Sequence, residues 1–251
     1  MVTTKLTGGL GNYLFQIGVA SSLAFKNNDK AIFDFGSSVG QAHKNINKYS
    51  SNILRNIEIG LFTPEYTFNE AGDFTFCQIP YAKNLVLQGY FQSAKYLDRE
   101  HILELYKIDG DTNEYIKNGY DLHSLKNSIS IHVRRGDYIG RPRHPVQTME
   151  YYNEAIKHFS NANFIVFSDD IEWCKENFKG DEFTFIQEDD YIELYLMSMC
   201  KHNIIANSSF SWWGSYLNQN KDKIVISPDN WFGVDGRLKT KNIYGEGWVV
   251  I

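Results

Sequence analysis

The chain lacks any uninterrupted apolar run of the roughly 20 residues that a membrane-spanning helix needs. It also lacks a basic-then-apolar leader, because the opening Val2-Thr3-Thr4-Lys5-Leu6 already reads as a strand. A cytoplasmic protein is the expectation, with peripheral membrane association left open. Cysteine is scarce: Cys77, Cys174 and Cys200 are odd in number and far apart. That excludes a disulfide framework and suggests reduced thiols. There is no His-x-x-x-His pair and no paired-cysteine cluster, so no metal site is expected. Asp109-Gly110-Asp111 begins like a calcium loop, but Glu114 and Tyr120 stand where glycine and glutamate are needed. Positive charge is short as well. With 25 Lys and Arg against 30 Asp and Glu the net charge is −5, which argues against a general nucleic-acid binder.

What is present is an ordinary globular composition with many aromatic residues. The 251 residues suffice for one large domain or two small ones. Val2–Leu6, Ala31–Phe35 and Leu85–Gln88 read as strands; residues 11–27 and 93–106 read as helices; residues 36–52 read as an exposed loop. From Ile129 the pattern becomes regular. SISIHV, FIVF, FTFI, NIIA and KIVIS are short β-branched or aromatic runs, with helical stretches at 148–160, 171–178, 190–200 and 209–219. Strands alternating with helices imply βαβ units and a parallel sheet. The boundary is expected near residues 107–127, giving domains of 1–120 and 121–251.

Polar residues recur where strands end. SISIHV runs into Arg134-Arg135-Gly136-Asp137, FIVF into Ser168-Asp169-Asp170, and NIIA into Asn207-Ser208-Ser209. Ligands of open parallel sheets sit beyond the carboxyl ends of the strands, so one crevice is expected there. Adjacent arginines offer rigid donor forks suited to a diphosphate, although a surface pair bridged to Asp137 is an equally simple reading. Asp169 or Asp170 can cap a helix or accept from the paired N–H donors of guanine. Ser208 and Ser209 can cap the following helix or meet a phosphate at its N-terminus. Trp212 and Trp213 read as core.

The turn Gly8-Gly9-Leu10-Gly11-Asn12 fits neither familiar phosphate loop. A dinucleotide fingerprint would place glycine where Leu14 stands, and a Walker loop would close on Gly-Lys-Ser/Thr. What remains is a tight turn that permits close backbone approach.

Taken together these stretches resemble the bacterial-type α-1,2-fucosyltransferases of glycosyltransferase family 11. The resemblance lies in Gly8-Gly9-Leu10-Gly11-Asn12 with Phe15-Gln16, and in Gly89-Tyr90-Phe91-Gln92-Ser93. It continues through His132-Val133-Arg134-Arg135-Gly136-Asp137-Tyr138, Ser168-Asp169-Asp170, and Asn207-Ser208-Ser209-Phe210-Ser211-Trp212-Trp213. The motifs fall in the family's order and span nearly the whole chain.

The resemblance implies an α/β fold of GT-B type, with two Rossmann-like domains facing across a cleft and the nucleotide held by the C-terminal one. It implies inverting transfer of L-fucose from GDP-β-L-fucose to the 2-hydroxyl of a galactose-containing acceptor, with no metal required. Alternatives within the fold are another linkage, such as α-1,6, or a non-catalytic nucleotide- or glycan-binding protein. Carried over, Arg134 binds the diphosphate and stabilises departing GDP, and Arg135 supports its loop. His132 and one of Asp169 or Asp170 address ribose and guanine, and Ser208 and Ser209 meet the phosphates. Gly9, Gly11 and Asn12 close on the donor from the other domain. Asp137 is the candidate general base. Two departures stand out. Tyr13 occupies a position where the family usually has Gln, and the stretch between residues 36 and 80, where acceptor recognition is expected, is short.

Overall fold

The computed structural model describes residues 1–36, 46–233 and 240–251. They form two compact units. One comprises the described part of Met1–Asp109 with residues 240–245, the other residues 110–233 with Glu246–Ile251.

In the first unit, β1 (Val2–Thr4) leads through the glycine turn into α1 (Leu10–Lys26) and then β2 (Ile32–Phe33). Two short strands follow, β3 (Glu58–Ile59) and β4 (Tyr66–Asn69), then β5 (Leu85–Gln88). β1 pairs in parallel with β5, and β5 with β4; β2 pairs in parallel with β3. A single parallel bridge, Val2 to Ala31, ties β1 to the second pair. The chain thus runs from β1 to β2 on one side, while β5 lies on the other. A strand-order reversal of this kind opens a crevice at the carboxyl ends of the two neighbouring strands.

α1 packs on β1 and buries Tyr13, Leu14, Phe15, Ile17 and Val19. Residues 93–106 do not form one helix. Ala94–Tyr96 makes a single tight turn, Leu97 is extended, and α2 (Arg99–Leu105) starts afresh at Asp98, whose side chain accepts the His101 N–H. Of the stretch read as an exposed loop, residues 37–45 lie outside the described residues. In the remainder Ile46 and Tyr49 are buried, so part of it belongs to the core.

The second unit begins with two short helices, α3 (Gly110–Gly119) and α4 (Leu122–Asn127). Then come β6 (Ile129–Val133), α5 (Met149–Ile156), β7 (Phe164–Ser168), α6 (Ile171–Asn177), β8 (Phe183–Ile186) and α7 (Asp190–Met199). β9 (His202–Ile204), α8 (Ser209–Leu217), β10 (Val225–Ser227) and β11 (Val249–Val250) complete it. All six strands pair in parallel in the order β11-β10-β9-β6-β7-β8. Every residue of β6 and β7 is buried, as expected for a sheet covered on both faces. One core cluster gathers Ile131, Val133, Val166, Ile204 and Ile226 with Tyr152 and Phe178. Trp212 and Trp213 of α8 are fully buried, in line with their reading as core. No helix among the described residues is long and apolar enough to cross a membrane. The three cysteines are free, Cys174 and Cys200 buried and Cys77 half-buried.

Candidate active site

The order of strands in the second unit sets the site. From β6 the chain steps to β7 and β8 on one side, then returns to place β9 on the other. The switch point therefore lies between the carboxyl ends of β6 and β9. β6 delivers Arg134 and Arg135 there. β9 runs on through Asn207 into Ser208, which caps α8 by accepting the Phe210 N–H at 3.3 Å. The polar ends read from the sequence are thus brought to one edge, and the amides that open α8 lie beside it. Ser209 is the first residue of that helix.

The two arginines have different surroundings. Arg134 is about one-third exposed and lies between two carboxylates. Its Nη2 meets Asp137 Oδ1 at 2.5 Å and its Nη1 meets Asp169 Oδ2 at 3.2 Å. Burial opposes its charge, but Asp169 and Asp137 outweigh that and hold its pKa above the ordinary arginine value. Arg135 is tied inward. Its Nε donates to Asp170 Oδ2 at 2.9 Å, and its guanidinium lies 4.1 Å above the Trp173 ring. Its backbone N–H donates to Asp169 Oδ1 at 2.9 Å. Asp170 also accepts the Trp173 N–H as cap of α6, and its own N–H goes to the Ser168 hydroxyl. Asp169 and Asp170 are therefore committed to holding the arginine loop and the start of α6. Gly136 makes the clamp fit, since a Cβ there would lie 2.5 Å from Asp169 Oδ2.

His132 is 3% exposed, with its ring 5.3 Å from that of Phe210. Burial, and secondarily the charge of Arg134, pushes its pKa down to about 3, so the imidazole is neutral near pH 7. Its Nδ1 is buried without a hydrogen-bond partner among the described residues. A buried, unpartnered ring nitrogen costs free energy.

Two residues that sequence reasoning gave no role organise this edge. The Tyr138 ring lies 5.4 Å from the Arg134 guanidinium, and its hydroxyl donates to the Asn207 carbonyl at 3.2 Å. Asn207 is 2% exposed and its Nδ2 donates to the carbonyls of Pro145 and Trp231, both at 3.0 Å. The signal was in the sequence: both residues sit inside the motifs, one on each side of the switch point. Glu193 is a further buried carboxylate, on α7, that the sequence reading passed over; its Oε1 accepts the Glu188 N–H just past β8.

The glycine turn occupies the corresponding switch point of the first unit. Gly9 caps α1 with no side-chain bond, so the helix opens on backbone alone. Gly11 and Asn12 lie in its first turn. Gly8 has φ of +93°, and a Cβ there would collide with Asn12 Nδ2. Gln16, fully buried, accepts the Thr7 N–H at 3.0 Å and donates to the Gly89 carbonyl at 3.1 Å. Asn12 Oδ1 accepts from Gln92 Nε2 at 2.9 Å. Gly89-Tyr90-Phe91 is fixed in turn by Glu70, which accepts the N–H groups of Tyr90 and Phe91 at 2.7 and 2.9 Å. Two of the recognised stretches, distant in sequence, are one hydrogen-bonded assembly. Tyr13 packs in the core, 0% exposed, rather than at this surface.

Among the described residues no group of three or more His, Cys, Asp or Glu is disposed to hold a metal ion.

Comparison with known proteins is consistent with these features. The profile of glycosyl transferase family 11 matches residues 1–251. The O-antigen biosynthesis glycosyltransferase WbnK of Escherichia coli is 32% identical over 93% of this chain and 96% of that one. An α-1,2-colitosyltransferase of the same organism is 30% identical over 100% of this chain and 99% of its own. Among solved structures, an α-1,6-fucosyltransferase, NodZ, soaked with GDP-fucose superposes with a TM-score of 0.54 at 15% identity. That match covers 86% of this chain and 91% of the other, and shows a shared α/β fold of GT-B type.

Proposed function

The chain belongs to glycosyl transferase family 11, and from that premise we propose that it transfers L-fucose from GDP-β-L-fucose to the 2-hydroxyl of a galactose-containing acceptor, inverting the donor's configuration. One observation carries the reading: Arg134 stands at the β6/β9 switch point, beside the N-terminus of α8. A guanidinium fork and helix amides are the donors that a departing diphosphate needs. As the glycosidic bond breaks, negative charge grows on the β-phosphate, and groups already aimed at it lower the barrier.

In this reading Arg134 exchanges its bond to Asp169 for the diphosphate. Arg135 positions it through Asp170 and Trp173. Ser208 and Ser209 meet the phosphates at the start of α8. His132, neutral and with an unpartnered Nδ1, hydrogen-bonds the nucleoside. Asp169 and Asp170 act chiefly by holding the arginines. Asp137, which meets Arg134 on the side away from Asp169, takes the proton of the acceptor hydroxyl in this reading. Gly9, Gly11 and Asn12 offer the backbone opening of α1 to donor oxygens. In this scheme cationic side chains serve the leaving group.

A second reading keeps the linkage and changes the sugar. The colitosyltransferase matches along the whole chain, so GDP-colitose is a rival donor. The deciding experiment offers GDP-fucose and GDP-colitose in parallel, with a galactoside acceptor and EDTA present. GDP release and the linkage of the product by NMR are then recorded. Fucose on O2 of galactose supports the proposal. A product formed only from GDP-colitose overturns the donor, another linkage overturns the regiochemistry, and GDP binding without turnover of either donor overturns catalysis.

A further inference from the structure

Four of the chain's seven arginines fall within residues 134–143, in a protein whose net charge is −5. Arg134 and Arg135 have carboxylate partners. Arg141 and Arg143 project from the next loop and are exposed. Among the described residues Arg141 makes one ion pair, with Asp137 Oδ2 at 3.9 Å, the outer limit of such a contact. Arg143 makes no ion pair among the described residues. Two neighbouring arginines with only a single, distant carboxylate partner among the described residues repel each other, and a visiting anion relieves that repulsion.

The loop that presents them is fixed. Arg141 N–H donates to the Tyr138 carbonyl and His144 N–H to the Arg141 carbonyl, both at 3.0 Å. The Arg143 carbonyl accepts the Gly233 N–H at 3.1 Å, and the Pro145 carbonyl accepts from Asn207. Pro142 and Pro145 limit the backbone further. The His144 ring packs 5.1 Å from Tyr138 and 5.9 Å from Phe232. A pinned backbone holding one guanidinium at the limit of an ion pair and a second with none among the described residues is arranged for an anion before one arrives.

Its place identifies the ligand. Along this edge the charges run Asp169, Arg134, Asp137, Arg141. Arg134 and α8 take the donor diphosphate in the reading above. Arg141 lies beyond Asp137, on the side where an acceptor hydroxyl would meet that carboxylate. We propose that Arg141 and Arg143 form a subsite for a phosphate ester carried by the acceptor, so that phosphorylated galactosides are preferred over neutral ones. The proposal rests on the transferase reading for its orientation.

The test titrates galactose 1-phosphate and, separately, methyl β-galactoside into the full-length protein, with and without saturating GDP. The same titrations are made with the Arg141→Gln/Arg143→Gln double variant. A contact with two guanidinium groups predicts that the phosphorylated sugar binds about tenfold more tightly or better, and that added salt erodes the difference. The double variant should lose that preference while its GDP affinity stays within about twofold of wild type. Equal binding of the two sugars, or a preference that survives in the double variant, overturns the subsite. A double variant that has instead lost GDP affinity assigns the loop to the donor and also overturns it. Absence of GDP binding in the wild type sinks the fucosyl-transfer reading. The titrations without GDP still decide whether the two arginines hold a sugar phosphate.

Discussion

Asp170 Oδ2 accepts Arg135 Nε at 2.9 Å, while the same carboxylate caps α6 through the Trp173 N–H. Two arginines adjacent in sequence have different surroundings because of this pair. Arg135 is held as part of the scaffold, leaving Arg134 to present its guanidinium at the strand end.

Substitution should divide them accordingly. Arg134→Ala is expected to lower kcat/KM by two orders of magnitude or more, the scale of losing one preorganised charge donor, with an unchanged far-UV circular dichroism spectrum. Arg134→Lys should recover little, since an ammonium lacks the planar fork. Arg135→Ala should instead destabilise the fold, by about 1–3 kcal/mol in denaturant unfolding, because it strands a half-buried carboxylate. An Arg135→Ala protein as stable as wild type would contradict the scaffold role.

Gly136 reads out the clamp without touching a charge. Its missing Cβ would sit 2.5 Å from Asp169 Oδ2. Gly136→Ala should push Asp169 away from the Arg135 N–H and from Arg134. The expected outcome is a raised KM for GDP-fucose and weaker GDP binding by calorimetry, with a near-native melting temperature.

His132 gives a pH signature. Its folded pKa is pushed down to about 3 by burial, then by Arg134; unfolded, it returns to about 6.5. Between those values the unfolded state binds a proton that the folded state refuses. Stability is therefore lost as pH falls from about 6.5 towards 3, with a slope approaching about 1.4 kcal/mol per pH unit from this residue. His132→Gln should flatten that part of the curve in denaturant unfolding at stepped pH. Equal acid sensitivity of the two proteins would exclude His132 as a source.

Much of this was legible in the sequence because β6 to β10 carry runs of β-branched and aromatic residues that survive any local context. The elements that escaped are those whose pairing is decided elsewhere. β3 is two exposed residues, β4 is a short edge strand that buries little, and β11 is two residues held by β10. The break in residues 93–106 follows from Asp98, a capping residue read as helix interior. Sequence reasoning also placed the site residues at one strand edge, but could not apportion them. Asp169 and Asp170 read as a helix cap or as partners of a guanine, and their bonds to the arginines were not foreseen. Only their distances show that both arginine bonds are made. The pairings of Gln16 with Gly89 and of Asn12 with Gln92 span more than 70 residues, so no local pattern announces them.

Tyr13 bears on the departure from the family pattern. It stands where the family resemblance leads one to expect Gln, yet it is 0% exposed and its hydroxyl has no hydrogen-bond partner among the described residues. Burial alone raises its pKa, as expected for a phenol in apolar surroundings. The aromatic ring therefore contributes packing, and the hydroxyl carries an unrecovered desolvation cost. Tyr13→Phe should raise stability by about 1 kcal/mol in denaturant unfolding and leave KM for the donor unchanged. Tyr13→Gln, which restores the usual residue, should lower stability by about 2 kcal/mol or more, since it exchanges buried ring area for a buried amide. If Tyr13→Gln instead proved neutral in stability and lowered KM for GDP-fucose, the side chain would belong to the donor site, and its place in the core would be refuted.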